Sequence, residues 1–157
     1  MFATLRVIYH TATGVALGTM IFFTAIVAEQ IFATLPLGKA GDVLAAIFPP
    51  YYTLVTLLCG LAFIVTLALL RKKRSGWLRS GQWAVLIATV FMAVGWLVFL
   101  PIMNNIRATI PTFSGPQTPA IERFFMYHGL SMGLNLLAIL LLFWAEIIFI
   151  VKHDALT

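Results

Sequence analysis

Two stretches of this chain, Tyr51 to Leu70 and Trp83 to Met103, run for 20 and 21 residues without a single Asp, Glu, Lys or Arg. In hydrocarbon a backbone must satisfy its own N–H and C=O groups. An α-helix of about 20 residues does so while crossing about 30 Å. Two further apolar runs, Val7 to Phe32 and Phe124 to Val151, flank this pair. The first has 26 residues, or about 39 Å as a helix, so it must tilt or protrude. Arg6 precedes it as in a signal peptide, but the run far exceeds an h-region, so it reads as a mature helix.

Composition agrees. The chain has 157 residues, 62% of them hydrophobic and 10% charged, against roughly 25% charged in a soluble domain. A mean hydropathy of +1.03 leaves too little polar surface for water. The expected fold is all-α: one four-helix up-down bundle over residues 1–157, with spans near 7–32, 51–70, 83–103 and 124–151. Thr118 and Pro119 read as N-cap and first residue of the fourth helix. The single cysteine, Cys59, lies mid-span and reads as a packing residue.

Charge sets the expected orientation. Arg6, Arg71, Lys72, Lys73, Arg74, Arg79 and Lys152 fall on one side of a four-span chain, and Lys39, Arg107 and Arg123 on the other. Seven against three predicts both ends inside, in a multi-pass protein of the plasma (inner) membrane. The net charge is +5, and five of the ten basic residues, Arg71, Lys72, Lys73, Arg74 and Arg79, fall in the short connection between the second and third runs, which argues for orientation and against nucleic acid as a partner. Tyr51, Tyr52, Trp77 and Trp83 fall at expected span ends, where amphipathic rings favour the headgroup level. Between the first two spans, Val43, Leu44, Ile47 and Phe48 share a face beside Lys39 and Asp42, predicting a short interfacial helix that Pro49-Pro50 ends. The connection from Asn104 to Thr118, with Pro111, Gly115 and Pro116, reads as irregular.

Gly14 and Gly18, and again Gly129 and Gly133, stand four apart on the first and last spans. They predict close contact between these helices, against the plainer reading of small residues that membrane helices tolerate. At about 100° per residue, His128, Ser131, Asn135 and Glu146 share an arc of about 60°. From His10, the residues Thr13, Gly14, Gly18, Thr24 and Ala28 form a small, hydroxylated stripe. Exposing such groups to lipid costs on the order of 2.5 to 3.5 kcal/mol for a charge, so both faces should turn inward. Depth then sorts the ionisable groups into two layers. His10 faces Glu146 near the inner surface and Glu29 faces His128 near the outer one, each acid beside an imidazole. Three readings stand: groups that snorkel at span ends, structural pairs, or a proton or ion relay. The apolar stretch from Asn135 to Glu146 interrupts any continuous path.

Cofactor and enzyme motifs are lacking. His10 and His128 are expected at opposite surfaces and His153 beyond the last span, so one chain offers no bis-histidine haem site. His128 and Glu29 supply two ligands, short of a zinc site. No P-loop, dinucleotide fingerprint, nucleophile elbow or zincin helix is present.

His128-Gly129-Leu130-Ser131 followed by Asn135, and Ile47-Phe48-Pro49-Pro50-Tyr51-Tyr52 upstream, resemble the transmembrane-protein-205-like family of small four-helix membrane proteins. Leu17-Gly18, Phe22-Phe23, Ala28 to Leu35, Ala40-Gly41 and Pro101-Ile102-Met103 look similar to its bacterial members. Those members carry proline and alanine where this chain has Glu29 and Gln30, and a basic residue at Pro50. The resemblance implies a membrane protein of uncharacterised activity with the His-Gly-x-Ser-x-x-x-Asn face as a shared site. The expectation is therefore a non-enzymatic integral membrane protein, an accessory or assembly partner of a larger complex or a homo-oligomer, embedded in the lipid bilayer and needing no cofactor. The alternative is a carrier of protons, metal ions or small cations along the polar faces of spans one and four.

Overall fold

The computed structural model describes residues 2–71, 76–113 and 116–151. Lys72, Lys73, Arg74, Gly115, Lys152 and His153, all used above, lie outside the described residues. Among the described residues four helices are long and apolar enough to cross a membrane: α1 (Ala3–Thr34), α2 (Leu37–Leu69), α3 (Gly76–Arg107) and α4 (Pro119–Val151). Each neighbour in sequence packs on the next, and α4 returns against α1 to close the bundle. One apolar core runs through it, with Tyr9, Met20, Val55, Cys59, Leu78, Met92, Leu142 and Phe149 almost wholly buried. Leucines, isoleucines and valines point outward all round, the inverse of a soluble fold and the surface that lipid requires.

All four helices extend beyond the uncharged runs, to 32 or 33 residues each. The start of α4 follows from local chemistry: the Ile121 N–H donates to the Thr118 hydroxyl (3.3 Å) ahead of Pro119, whose missing N–H costs nothing there. The segment before Pro49-Pro50 is helical, but it is the first part of α2 and not a separate helix. The prolines deprive the carbonyls of Ala45 and Ala46 of donors, yet the helix runs on. Tertiary packing outweighs the local penalty here: Phe48, between Phe23 and Tyr52, lies 5.6 and 6.0 Å from them by ring centroid. The Thr53 hydroxyl donates back to the Pro49 carbonyl (2.8 Å). At the same end, Arg107 Nη2 donates to Asp42 Oδ1 and ties α3 to α2.

Two helices contain one wide turn each. In α1 the turn spans Phe23–Val27, and the Ala28 N–H reaches back five residues to the Phe23 carbonyl. In α3 it spans Gly95–Phe99, just ahead of Pro101, whose missing N–H leaves the Leu97 carbonyl without its helical donor. Such a turn absorbs one extra residue, so side chains beyond it lag by about 100°.

The glycine pairs require a correction. A Cβ built on Gly14, Gly18, Gly129 or Gly133 meets nothing within 4 Å. All four are exposed, so they are not the contact between α1 and α4. That contact is made by polar side chains and by the Tyr9 ring against Phe149. Close approach occurs elsewhere: a Cβ on Gly95 would lie 2.6 Å from Tyr52 Cε1, and one on Gly81 3.0 Å from Phe149 Cε2.

Candidate functional site

Polar groups join α1 to α4 in two layers. Toward the chain termini, His10 Nδ1 lies 2.7 Å from Glu146 Oε1 and the Thr13 hydroxyl lies 2.8 Å from Oε2. A carboxylate only accepts, so with Glu146 ionised the imidazole Nδ1–H is the donor. The Thr13 hydroxyl has one proton, and the Tyr9 carbonyl, at 2.9 Å, competes for it. Thr13 is fully buried, whereas His10 and Glu146 keep 32% and 19% of their side chains exposed. Beside them the Tyr9 ring packs on Phe149 at 4.4 Å, its hydroxyl buried and without a hydrogen-bond partner among the described residues.

The second layer is the floor of a cleft. Tyr51 donates to Asn135 Oδ1 (2.6 Å), and Asn135 Nδ2 donates to the Thr24 hydroxyl (3.0 Å). Tyr52 and Ser131 share a hydrogen bond of 2.6 Å. Three helices therefore meet through five side chains. Above the floor is a cavity of about 430 Å³, walled by Phe23, Phe32, Phe48, Met132, Leu136 and Ile139 and bordered by Glu29 and His128. Phe23 stacks on Tyr51 at 4.5 Å, and Tyr51 meets Tyr52 edge-on at 5.3 Å. His128 lies parallel to Phe124, centroids 6.1 Å apart, and also borders a smaller cavity of about 70 Å³ that reaches Arg107. Thr24, Glu29, Met132, Gly133 and Leu136 are exposed at the mouth, between α1 and α4.

The expected pairing of His10 with Glu146 is present. Glu29 and His128 reach the same cleft, but no hydrogen bond or ion pair joins them. Ser131 and Asn135 face inward as the helical arc required. Between the layers Ala138, Leu142 and Ala145 are 0% exposed, so packed side chains separate the floor from Glu146. Tyr51 and Tyr52 differ from expectation. They are 7% and 4% exposed, inside the bundle rather than at its ends, because α2 begins fourteen residues before Tyr51. Their depth was the available signal: Tyr51 lies about 21 Å into α2 and Asn135 about 24 Å into α4, both counted from the same end of the bundle.

Glu29 reaches the cleft through the wide turn of α1. On a regular helix it would stand about 100° from His10; the lag beyond Phe23–Val27 returns it to the polar face. Among the described residues no group of three or more His, Cys, Asp or Glu is placed to hold a metal ion.

Four apolar helices closed by a polar seam define a multi-pass helical membrane protein. Residues 11–111 match a family described as a domain of unknown function, DUF4149. An uncharacterised protein of Aquifex aeolicus (strain VF5) is 32% identical over 137 residues, which cover 87% of this chain and 90% of the relative. The chain belongs to the DUF4149 family. No solved structure matches it.

Proposed function

We propose that this chain is a non-enzymatic membrane protein whose working surface is the cleft between α1, α2 and α4, where it holds a small bilayer-soluble molecule. One observation carries the reading: five hydrogen-bonding side chains from three helices converge under an apolar cavity whose mouth lies among lipid-facing residues. Concave, largely apolar sites with few convergent polar groups are where small ligands bind. The resemblance to the transmembrane-protein-205-like family fits it, since His128, Ser131 and Asn135 of the shared motif all border this cleft. The seven-to-three charge asymmetry supports both termini inside, with the cleft toward the outer leaflet of the plasma membrane. The segment from Leu37 to Phe48 then lies at the outer interface. In this reading the protein is an accessory component, alone or in a larger membrane assembly.

Gly133→Trp tests it, because the glycine borders the cleft and open space surrounds its Cβ. Native mass spectrometry of protein extracted in dodecyl maltoside is expected to show one small adduct on the unaltered chain, reduced at least fivefold in the variant at equal thermal stability. Bare protein in both cases refutes the reading. The carrier reading draws on the His10–Glu146 pair lying on the same two helices. It requires pH-dependent flux in proteoliposomes to vanish in His128→Ala and in Glu146→Gln; unchanged flux in both discards it.

A further inference from the structure

We propose that the cleft selects lipophilic monocations, organic ammonium or phosphonium ions carrying apolar substituents; the inference rests on the cleft being a binding site. Charge is the first argument. Among the described residues, Glu29 is the one carboxylate bordering the cavity, no lysine or arginine borders it, and the other titratable side chains there are His128, Tyr51 and Tyr52. No described residue makes a hydrogen bond or ion pair with Glu29. Glu29 is exposed at the mouth of an apolar cavity, where its carboxylate offers a cation a partner that solvent screens only in part.

The walls supply the second argument. Phe23, Phe48, Tyr51 and Tyr52 form a continuous aromatic cluster, with neighbouring centroids 4.5 to 6.0 Å apart. Aromatic faces bind cations, most strongly where water is excluded. The floor excludes the competing chemistry. Its hydroxyls and amide are largely engaged with one another, and the donors left over, the second Asn135 N–H and the Thr24 O–H among them, serve an acceptor and not a cation. A cation without donors binds with that network intact.

Depth orients the ligand. Glu29 lies five residues before the end of α1 at Thr34, about 8 Å. Leu136 and Ile139 lie eight and eleven residues beyond His128, about 12 and 16 Å deeper. The charge therefore sits at the level of Glu29 and the apolar groups extend into the bilayer. A phospholipid ammonium would bring a phosphate to a cleft whose described lining holds no lysine or arginine, and Arg107 in the adjoining cavity is paired with Asp42, so a free cation is the occupant that fits.

Equilibrium dialysis of tetraphenylphosphonium against the whole protein in dodecyl maltoside micelles, corrected with empty micelles, tests this. Saturable binding is expected, weakened about tenfold by Glu29→Gln at unchanged thermal stability and about threefold by Phe48→Leu in protein that remains folded. Equal affinity in Glu29→Gln, or tighter binding of neutral menadione than of the phosphonium, overturns the proposal. So does displacement of the probe by an ethanolamine phospholipid at equal concentration. If the Gly133→Trp adduct experiment succeeds while tetraphenylphosphonium fails to bind, the cleft is a site and its cation selectivity is wrong. If both fail, the site itself is lost.

Discussion

The two kinds of glycine in this chain separate by what lies over them. Gly95 has the Tyr52 ring where a methyl group would go, and Gly133 faces open space. Gly95→Ala should therefore destabilise by about 1–3 kcal/mol, the cost of overpacking, and displace Tyr52 from Ser131. Gly133→Ala should be neutral or stabilising by up to about 1 kcal/mol, since alanine favours helix. Thermal unfolding of both variants in maltoside micelles measures the difference, and equal midpoints would contradict the packing described. Sequence spacing had pointed to the wrong glycines. Four-residue spacing records where a close contact is permitted, whereas Gly95 and Gly81 are required by bulky residues that lie far away in sequence, Tyr52 and Phe149. The polar residues were easier to read, because lipid penalises their exposure whatever the neighbours are. His10 and Glu146, 136 positions apart, are joined as that penalty dictates.

At the level of the helix, the wide turn Phe23–Val27 keeps both ends of α1 in register with α4, His10 and Thr13 below it and Glu29 above. A regular wheel misses this, as it misses the passage of α2 through Pro49-Pro50. Both depend on packing between helices that local propensity does not encode. The turn already holds one residue too many, which gives deletions an unusual asymmetry. Removing Ala25, an exposed residue inside the turn, should let it relax to ordinary α-helix while the flanks keep their phase. Removing Val15, also exposed but in regular helix, should rotate one flank by about 100° and separate one polar layer from α4. Stability of the first deletion is expected within about 1 kcal/mol of the parent. The second should lose the polar seam, at roughly 0.6 to 1.7 kcal/mol per hydrogen bond. Thermal unfolding of the pair in micelles decides it: comparable losses would show that the turn stores no spare residue.

For the whole molecule, closure of the bundle depends on the side where α1 meets α4. α1 packs on α2, and α3 on α4, more extensively than α1 on α4, where His10 and Thr13 meet Glu146, Thr24 meets Asn135 and Tyr9 packs on Phe149. In lipid no hydrophobic force draws two apolar helices together, so polar contacts and close side-chain packing hold this seam. It gapes at the cleft, beyond Thr24 and Asn135. Fold class and the four spans were legible from apolar length, but the cavity was not, since a void is a property of the shapes around it. The seam makes a definite claim about topology: Thr24→Cys and Asn135→Cys, in a chain with Cys59→Ser, replace side chains 3.0 Å apart. Mild oxidation should join them within one chain, giving a faster-migrating monomer on denaturing gels that reverts on reduction. It should also hinder tetraphenylphosphonium, because both positions border the cleft. A disulfide-linked dimer, or no bond at all, would mean that α1 closes against another molecule or stands away from α4.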